Sequence, residues 1–399
     1  MTDAGLHLPI HDDGRTGRDA AEILRNAVPD AIYAHVPFCR HKCHYCDFYS
    51  LVDQRDRVGR FADRFEREVA AAAELVDPSR LRTAFVGGGT PTMLPPDDLR
   101  RVLAAIRGPA GDRLEEFTVE ANPETVTEAI ADALVAGGAD RTSIGCQSFD
   151  PRHLATLERH HDPASVPRAV ARLRAAGIRR LNLDLIFGIP GSTLDDWRRD
   201  LDLALALEPD HLSCYGLVFE PGTPLAEKQR LGRIDAIDDE IEAAMYDLTR
   251  ETLAAAGFEH YEISNWARPG EACRHNVVYW TAGEWLALGP AAAGNLGGVR
   301  YRNLPRLDDW MAAEDGLSRV VDVDRPDADT TRGEVLMLGL RLRHGLPRTT
   351  IEPLLADDPR RRAIVEGHLA AGRLEWRGEH LRISDDAVML ADGVLSDLV

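Results

Sequence analysis

Residues 35–50 read HVPFCRHKCHYCDFYS, with Cys39, Cys43 and Cys46 gathered into eight positions after a short apolar run. A closed structural zinc site takes four ligands and a disulfide framework takes an even number of thiols, so a C-x3-C-x2-C triplet leaves one coordination position open. Either His41 or His44 closes a Cys3His zinc site, or the fourth position belongs to a ligand from outside the loop. The preceding stretch AIYAHV (31–36) is of β type, which puts the cysteines just past the carboxyl end of a strand.

Further β-type runs follow: TAFVG (83–87), EFTVE (116–120), RTSIGC (141–146), RLNLDLIFG (180–188) and HLSCYGL (211–217). Helix-period segments fill the gaps, among them RFADRFEREVAAAAELV, TEAIADALVAGG, ASVPRAVARLRAAG and TLDDWRRDLDLALALE. Six βα units with right-handed crossovers predict an α/β fold with a parallel sheet under helices, either an open sheet or a partial (β/α)6 barrel. After about residue 258 the texture changes to the aromatic-rich FEHYEISNWARPGEACRHNVVYW, and from about 330 to helical patterns followed by RLEWRGEHLRIS. Helices followed by a hairpin resemble a winged helix. The expected organisation is a polar N-terminal segment at 1–27, a barrel at 28–260 and a smaller, mainly helical C-terminal domain at 261–399.

A formal charge of −19 over 399 residues opposes nucleic-acid binding, in which clustered cations neutralise phosphates. The winged-helix-like tail has no basic face either: from Thr330 to Val399, ten arginines stand against eleven acidic residues. Lysine occurs only at positions 42 and 228, which removes most candidates for Schiff-base chemistry. Cys146, Cys214 and Cys273 lie far apart, MTDAGLHLPIHDDG lacks an apolar signal core, and no apolar run reaches the roughly 20 residues of a membrane helix. The expectation is a cytoplasmic, reducing location without an integral membrane segment.

Polar residues collect at the strand ends, where parallel α/β folds bind ligands. GGGTPT (87–92) follows the second strand, Glu120 and Asn122 end the third, Gln147 the fourth, Asp184 nears the end of the fifth and Tyr215 ends the sixth. GGGTPT is not a dinucleotide fingerprint, since it lacks the spaced third glycine and Pro91 interrupts the helix start. Each of these residues singly has a structural explanation, a tight turn or a tethered loop. Their common rim beside three cysteines points to a ligand.

The segments YAHVPFC, VGGGTPT, EANPE, GCQSF, LERHH, NLDLIFGIPG, PGTPL, HNVVYW and VLSDLV together resemble the oxygen-independent coproporphyrinogen III oxidase family of radical S-adenosylmethionine (SAM) proteins. The resemblance spans nearly the whole chain and is finest to the haem-chaperone branch, HemW. It implies that Cys39, Cys43 and Cys46 hold three irons of a [4Fe-4S] cluster. The fourth iron then takes the amino and carboxylate groups of SAM, and an electron from the cluster can break the C5′–S bond. The SAM contacts implied are Tyr33, Tyr45, Gly88, Gly89, Thr90, Glu120, Gln147, Arg159 and Asp184. HNVVYW (275–280) resembles a haem-binding HNxxYW motif, implying His275 as iron ligand with Tyr279 and Trp280 against the porphyrin.

Two features favour the chaperone branch. The oxidases of the family carry a further cysteine two positions after the third, where this chain has Phe48, and they have a longer N-terminal cover. At LGPAAAGNL (288–296) the family pattern expects His and Ser where Ala293 and Gly294 stand. The functional expectation is a haem chaperone carrying a cluster and exchangeable SAM, passing haem to an acceptor protein, with an electron donor as a further partner. The alternatives are oxidative decarboxylation of coproporphyrinogen III and a zinc- or cluster-stabilised binding module.

Overall fold

The computed structural model describes residues 18–53, 57–313 and 316–399. Most of the expected segment 1–27 therefore lies outside the described residues. The six predicted strands form as β1 (Ala31–Val36), β2 (Thr83–Gly88), β3 (Glu116–Ala121), β4 (Arg141–Gln147), β5 (Arg180–Phe187) and β6 (His211–Gly216). They pair in parallel and in sequential order. β1 and β6 do not pair with each other, so the six strands form a partial (β/α)6 barrel.

Each strand alternates along most of its length, with a bulge at the end of β4, which is why its two faces differ in kind. Leu181, Leu183 and Leu185 of β5 are buried in the outer core, while Asn182 and Asp184 face the lumen and bond Ser143 of β4. On β6, Leu212 and Cys214 share that outer core, whereas Ser213 takes part in the lumen's polar network. The helices that cover the outer face begin and end on local signals. Thr193 and Asp196 form a reciprocal capping box before Leu194–Leu205, and Gly177, at φ 109°, ends Ser165–Ala176 in the left-handed region.

The sheet continues past both barrel edges. β7 (Glu259–Glu262) and β8 (Asn265–Ala267) form a hairpin whose β8 runs antiparallel to β6. On the other side β9 (Trp285–Leu288) adds in parallel to β1, and β10 (Ala293–Leu296), β11 (Val299–Asn303) and β12 (Arg319–Asp324) extend it antiparallel; with the two-residue strand Arg18–Asp19 on β12 the sheet has thirteen strands among the described residues. The C-terminal part opens mainly in strands, with the short helices Arg274–Trp280 and Leu307–Met311 between them, and its longer helices start at Ala328–Gly339. There, strand Leu346–Pro347, helices Arg348–Ala356 and Pro359–Ala370, and hairpin Leu374–Arg377/His380–Ile383 follow in winged-helix order and form a separate three-stranded sheet. Among the described residues, no helix is long and apolar enough to cross a membrane.

Candidate functional site

The three cysteines occupy the loop after β1, all half-buried and free of disulfides. A circuit of side chains from the segments after β2, after β3 and after helix Pro151–Thr156 touches two of them. Thr90, after β2, places its Oγ1 3.7 Å from Cys39 Sγ and accepts from Asn122 Nδ2 at 3.0 Å. Asn122 Oδ1 in turn accepts from Arg159 Nη2 at 2.9 Å, and Arg159 Nη1 donates to Cys43 Sγ at 3.7 Å. The same guanidinium donates to the Gly145 carbonyl of β4 at 2.5 Å. A planar fork suits this bridging role, because its donors diverge in fixed directions.

These residues fit a cluster better than a single zinc ion. Tetrahedral zinc with Zn–S bonds of about 2.3 Å draws its sulfurs to about 3.8 Å from one another. Among the described residues, the cysteine sulfurs do not gather with His41 or His44 within 4.8 Å, so a Cys3His site is not preformed. Burial raises the Cys39 thiol and pushes Cys46 up to about 12, so bound metal has to displace protons, as thiolate ligation does. The thiols of Cys146 and Cys214 are buried in the outer core.

The glycine run is explained by close approach. A Cβ on Gly89 would lie 2.7–2.8 Å from the backbone of Val36, Pro37 and Phe38, and one on Gly88, at φ 103°, would enter the His35 ring. That proximity lets Gly89 N donate to Val36 O at 2.8 Å and Thr90 N to Phe38 O at 2.7 Å, which clamps the start of the cysteine loop. Gly88 N donates to Glu120 Oε2 at 3.1 Å. Gly89 and Thr90 thus hold the loop through their own backbone, while Gly88 tethers Glu120, roles the expectation of direct SAM contact had not included.

The other predicted residues share this rim and the lumen beneath it. Tyr33 hydroxyl meets His35 Nδ1 at 3.1 Å, and His35 Nε2 lies 2.8 Å from the Tyr49 carbonyl. Burial lowers His35 to about 4, so its ring is neutral. Tyr45 packs on an apolar patch of Leu157, Ile186, Ile189 and Leu217. Gln147 sits at φ 64° beside a bulge between β4 and β5, which turns its side chain back to the rim. Asp184 accepts from Asn182 Nδ2 at 2.7 Å and Ser143 Oγ at 3.0 Å, and burial raises its carboxyl against those bonds. The residues not anticipated are this supporting layer, Ser143, Asn182 and Ser213, together with His35 and the bridging role of Asn122; EANPE and NLDLIFG carried a signal for Asn122 and Asn182 alone, and the others stand in the strand runs as ordinary polar positions.

His275 stands elsewhere. Its helix, Arg274–Trp280, plugs the opposite, amino-terminal end of the barrel, where His275 Nδ1 bonds Thr83 Oγ1 at 3.0 Å and its backbone N–H donates to Glu116 at 3.1 Å. Thr83 opens β2 and Gly88 closes it, so at about 3.3 Å per residue His275 lies about 16 Å from the cysteine rim. It is 1% exposed, its Nε2 pairs with Tyr279 hydroxyl at 2.8 Å, and burial lowers it to about 3. Both ring nitrogens are engaged, so iron ligation requires one bond to open. Trp280 is buried under the Arg341 guanidinium, 4.3 Å from its ring centre, and offers no free face to a porphyrin. Cys273 is buried 3.3 Å from Glu116 and pushed up to about 12. Phe48 is 55% exposed beside the cysteines, Ala293 is exposed, and the Cβ space of Gly294 is filled by the Tyr301 ring.

The Radical SAM superfamily model matches residues 33–204, from the middle of β1 to the helix after β5. The "Heme chaperone HemW" of Mycobacterium tuberculosis is 39% identical over 379 residues, covering 93% of this chain and 95% of that protein. The protein of the same name from Bacillus subtilis is 34% identical, covering 79% and 84%. The mouse "Radical S-adenosyl methionine domain-containing protein 1, mitochondrial" is 32% identical, covering 92% and 87%. In fold, the structure of Escherichia coli coproporphyrinogen III oxidase (HemN) superposes with a TM-score of 0.81 over 98% of this chain and 96% of that one, at 19% identity. With that identity and coverage, and with the cysteine triplet seated at the mouth of a partial barrel, the chain belongs to the HemW family of radical SAM proteins.

Proposed function

We propose that this chain is a haem chaperone: it carries a [4Fe-4S] cluster on Cys39, Cys43 and Cys46 with SAM beside it, binds haem, and hands haem to an acceptor protein. The observation that carries the cluster part is the circuit Cys39–Thr90–Asn122–Arg159–Cys43, which holds two of the three thiols in place from three separate segments. The haem part rests on the curated relatives' names. The cluster, when bound, supplies an electron to SAM.

The remaining roles belong to the protein's own groups. Asp184 and Glu120 present carboxyl oxygens to an ammonium or to ribose hydroxyls, Gln147 and Tyr33 bond polar edges, and the Tyr45 patch gives adenine an apolar face. Arg159 faces the cysteines, where it can pair with a carboxylate.

For haem we propose His275 as the ligand through Nε2, the nitrogen held by half-buried Tyr279, since Nδ1 points at the barrel floor. Tyr279 then competes with iron. Tyr279→Phe removes that competitor and should tighten haem binding about fivefold, the equivalent of one hydrogen bond of about 1 kcal/mol, while His275→Ala abolishes the imidazole Soret signature. Haem titration of both variants against the parent decides the matter: unchanged affinity and spectrum in the two would leave HNVVYW as a structural plug of the barrel floor.

A further inference from the structure

A second group of ligating side chains lies outside the cysteine circuit, where the loop at 41–44 meets the turn at 158–160. His41, Glu158 and His160 each place one ligand atom within 4.8 Å of the other two. The rings of His41 and His160 stack at 4.1 Å, and His44 Nδ1 approaches Glu158 Oε1 to 3.7 Å. The gap from His160 Nε2 to Glu158 Oε2 is 3.6 Å.

These gaps are too long for hydrogen bonds. The 3.6 Å gap from His160 to Glu158 is near the separation of about 3.4 Å between two ligands of a tetrahedral ion with bonds of 2.0–2.1 Å. The inner edge is also left unsatisfied: His41 Nε2 and His44 Nδ1 are buried atoms with no hydrogen-bond partner. Glu158 is held at φ 55°, a left-handed conformation that a residue with a side chain adopts at a cost. The outer edge is open, with the His160 side chain 60% exposed and Glu158 34% exposed, so an ion can enter from solvent. A cationic neighbour, Lys228 at 3.9 Å from Glu158, sits on a flexible stem that can swing away.

We propose that His41, Glu158 and His160 bind one divalent transition ion of borderline softness, Zn2+ being the best fit to two imidazoles and a carboxylate, with His44 within reach of the fourth position. The site is distinct from the cluster and does not depend on haem or SAM. It spans two segments that already meet through Arg159 and Cys43, so the ion would staple the cysteine loop to the turn that holds it.

The test uses full-length protein with its cluster reconstituted anaerobically and titrates Co2+ as a spectroscopic probe. One equivalent should bind with ligand-field bands of nitrogen and oxygen ligation, displaceable by Zn2+. His160→Ala and Glu158→Gln should each weaken it at least about tenfold while iron stays at about four per chain. Because His160 is exposed, the retained iron also reports that the variants fold. Equal Co2+ affinity in parent and both variants, or a thiolate-to-cobalt charge-transfer band in the parent, would overturn the assignment.

Discussion

At the scale of single residues, the cysteines separate by environment. Cys39, Cys43 and Cys46 are half-buried at a strand mouth beside Thr90 and Arg159, whereas Cys146, Cys214 and Cys273 are buried. Two remaining thiolates cannot hold a four-iron cube against hydrolysis, so Cys43→Ala should drop iron and sulfide after reconstitution from about four to below about one per chain. Cys146→Ala should leave both unchanged. Near-full iron in Cys43→Ala would show that the cube is held elsewhere. The spacing of the triplet is legible in sequence because all three ligands lie within one loop. The Asn122 bridge is not, since its partners Thr90 and Arg159 stand 32 and 37 residues away.

At the scale of elements, the βα alternation was readable because apolar residues facing the helices and polar residues facing the lumen impose a period of two on each strand. The function of the glycine run was not, because it depends on how closely β2 approaches the loop after β1. Gly89→Ala tests that packing. The new methyl meets backbone, which cannot rotate away, so the variant should lose about 1–3 kcal/mol and also lose cluster occupancy as the Val36 and Phe38 bonds stretch. Gly367, inside helix Pro359–Ala370 with open space at its Cβ position, provides the contrast: Gly367→Ala should stabilise by about 0.5–1 kcal/mol. Parallel chemical-denaturation curves read both, and equal effects would refute the close-approach account.

At the scale of the whole molecule, the chain does not divide cleanly near residue 260. β7 runs across that position, and β9 completes the exposed side of β1. Arg64, on the helix after β1, donates to the carbonyls of Trp310 at 2.9 Å and Gly316 at 2.7 Å, and buried Glu68 accepts from Gly289 N and Trp310 Nε1. Buried neutral histidines add a pH dependence to this joined structure. His260 lies flat on Trp266, ring centres 4.4 Å apart, and burial lowers it to about 3. Unfolded, it titrates near its ordinary value of about 6.5, so its contribution is complete above that pH and is lost progressively down to about 3. Burial raises Glu68 and Asp184, which act in the opposite sense, so the readout is a difference. His260→Phe keeps the stacking and should lose about 1.4 kcal/mol less stability than the parent between pH 7.5 and 5.5. Equal losses in urea melts would mean that the ring is protonated in the native state.

What the sequence by itself determined was local: the cysteine spacing, the strand and helix periods, the caps at Thr193 and Gly177, and the order of helices and hairpin in the C-terminal portion. Each is set by neighbours within about a dozen residues. Only the tertiary structure decided that the C-terminal part opens by extending the barrel sheet, because strand pairing joins edges hundreds of residues apart, as Trp285 joins Ala31. It alone placed HNVVYW at the floor of the lumen rather than at the cysteine rim. The reason is Thr83 and Glu116: these residues begin β2 and β3, and their polar groups, buried away from water, are satisfied by the ring and backbone of His275.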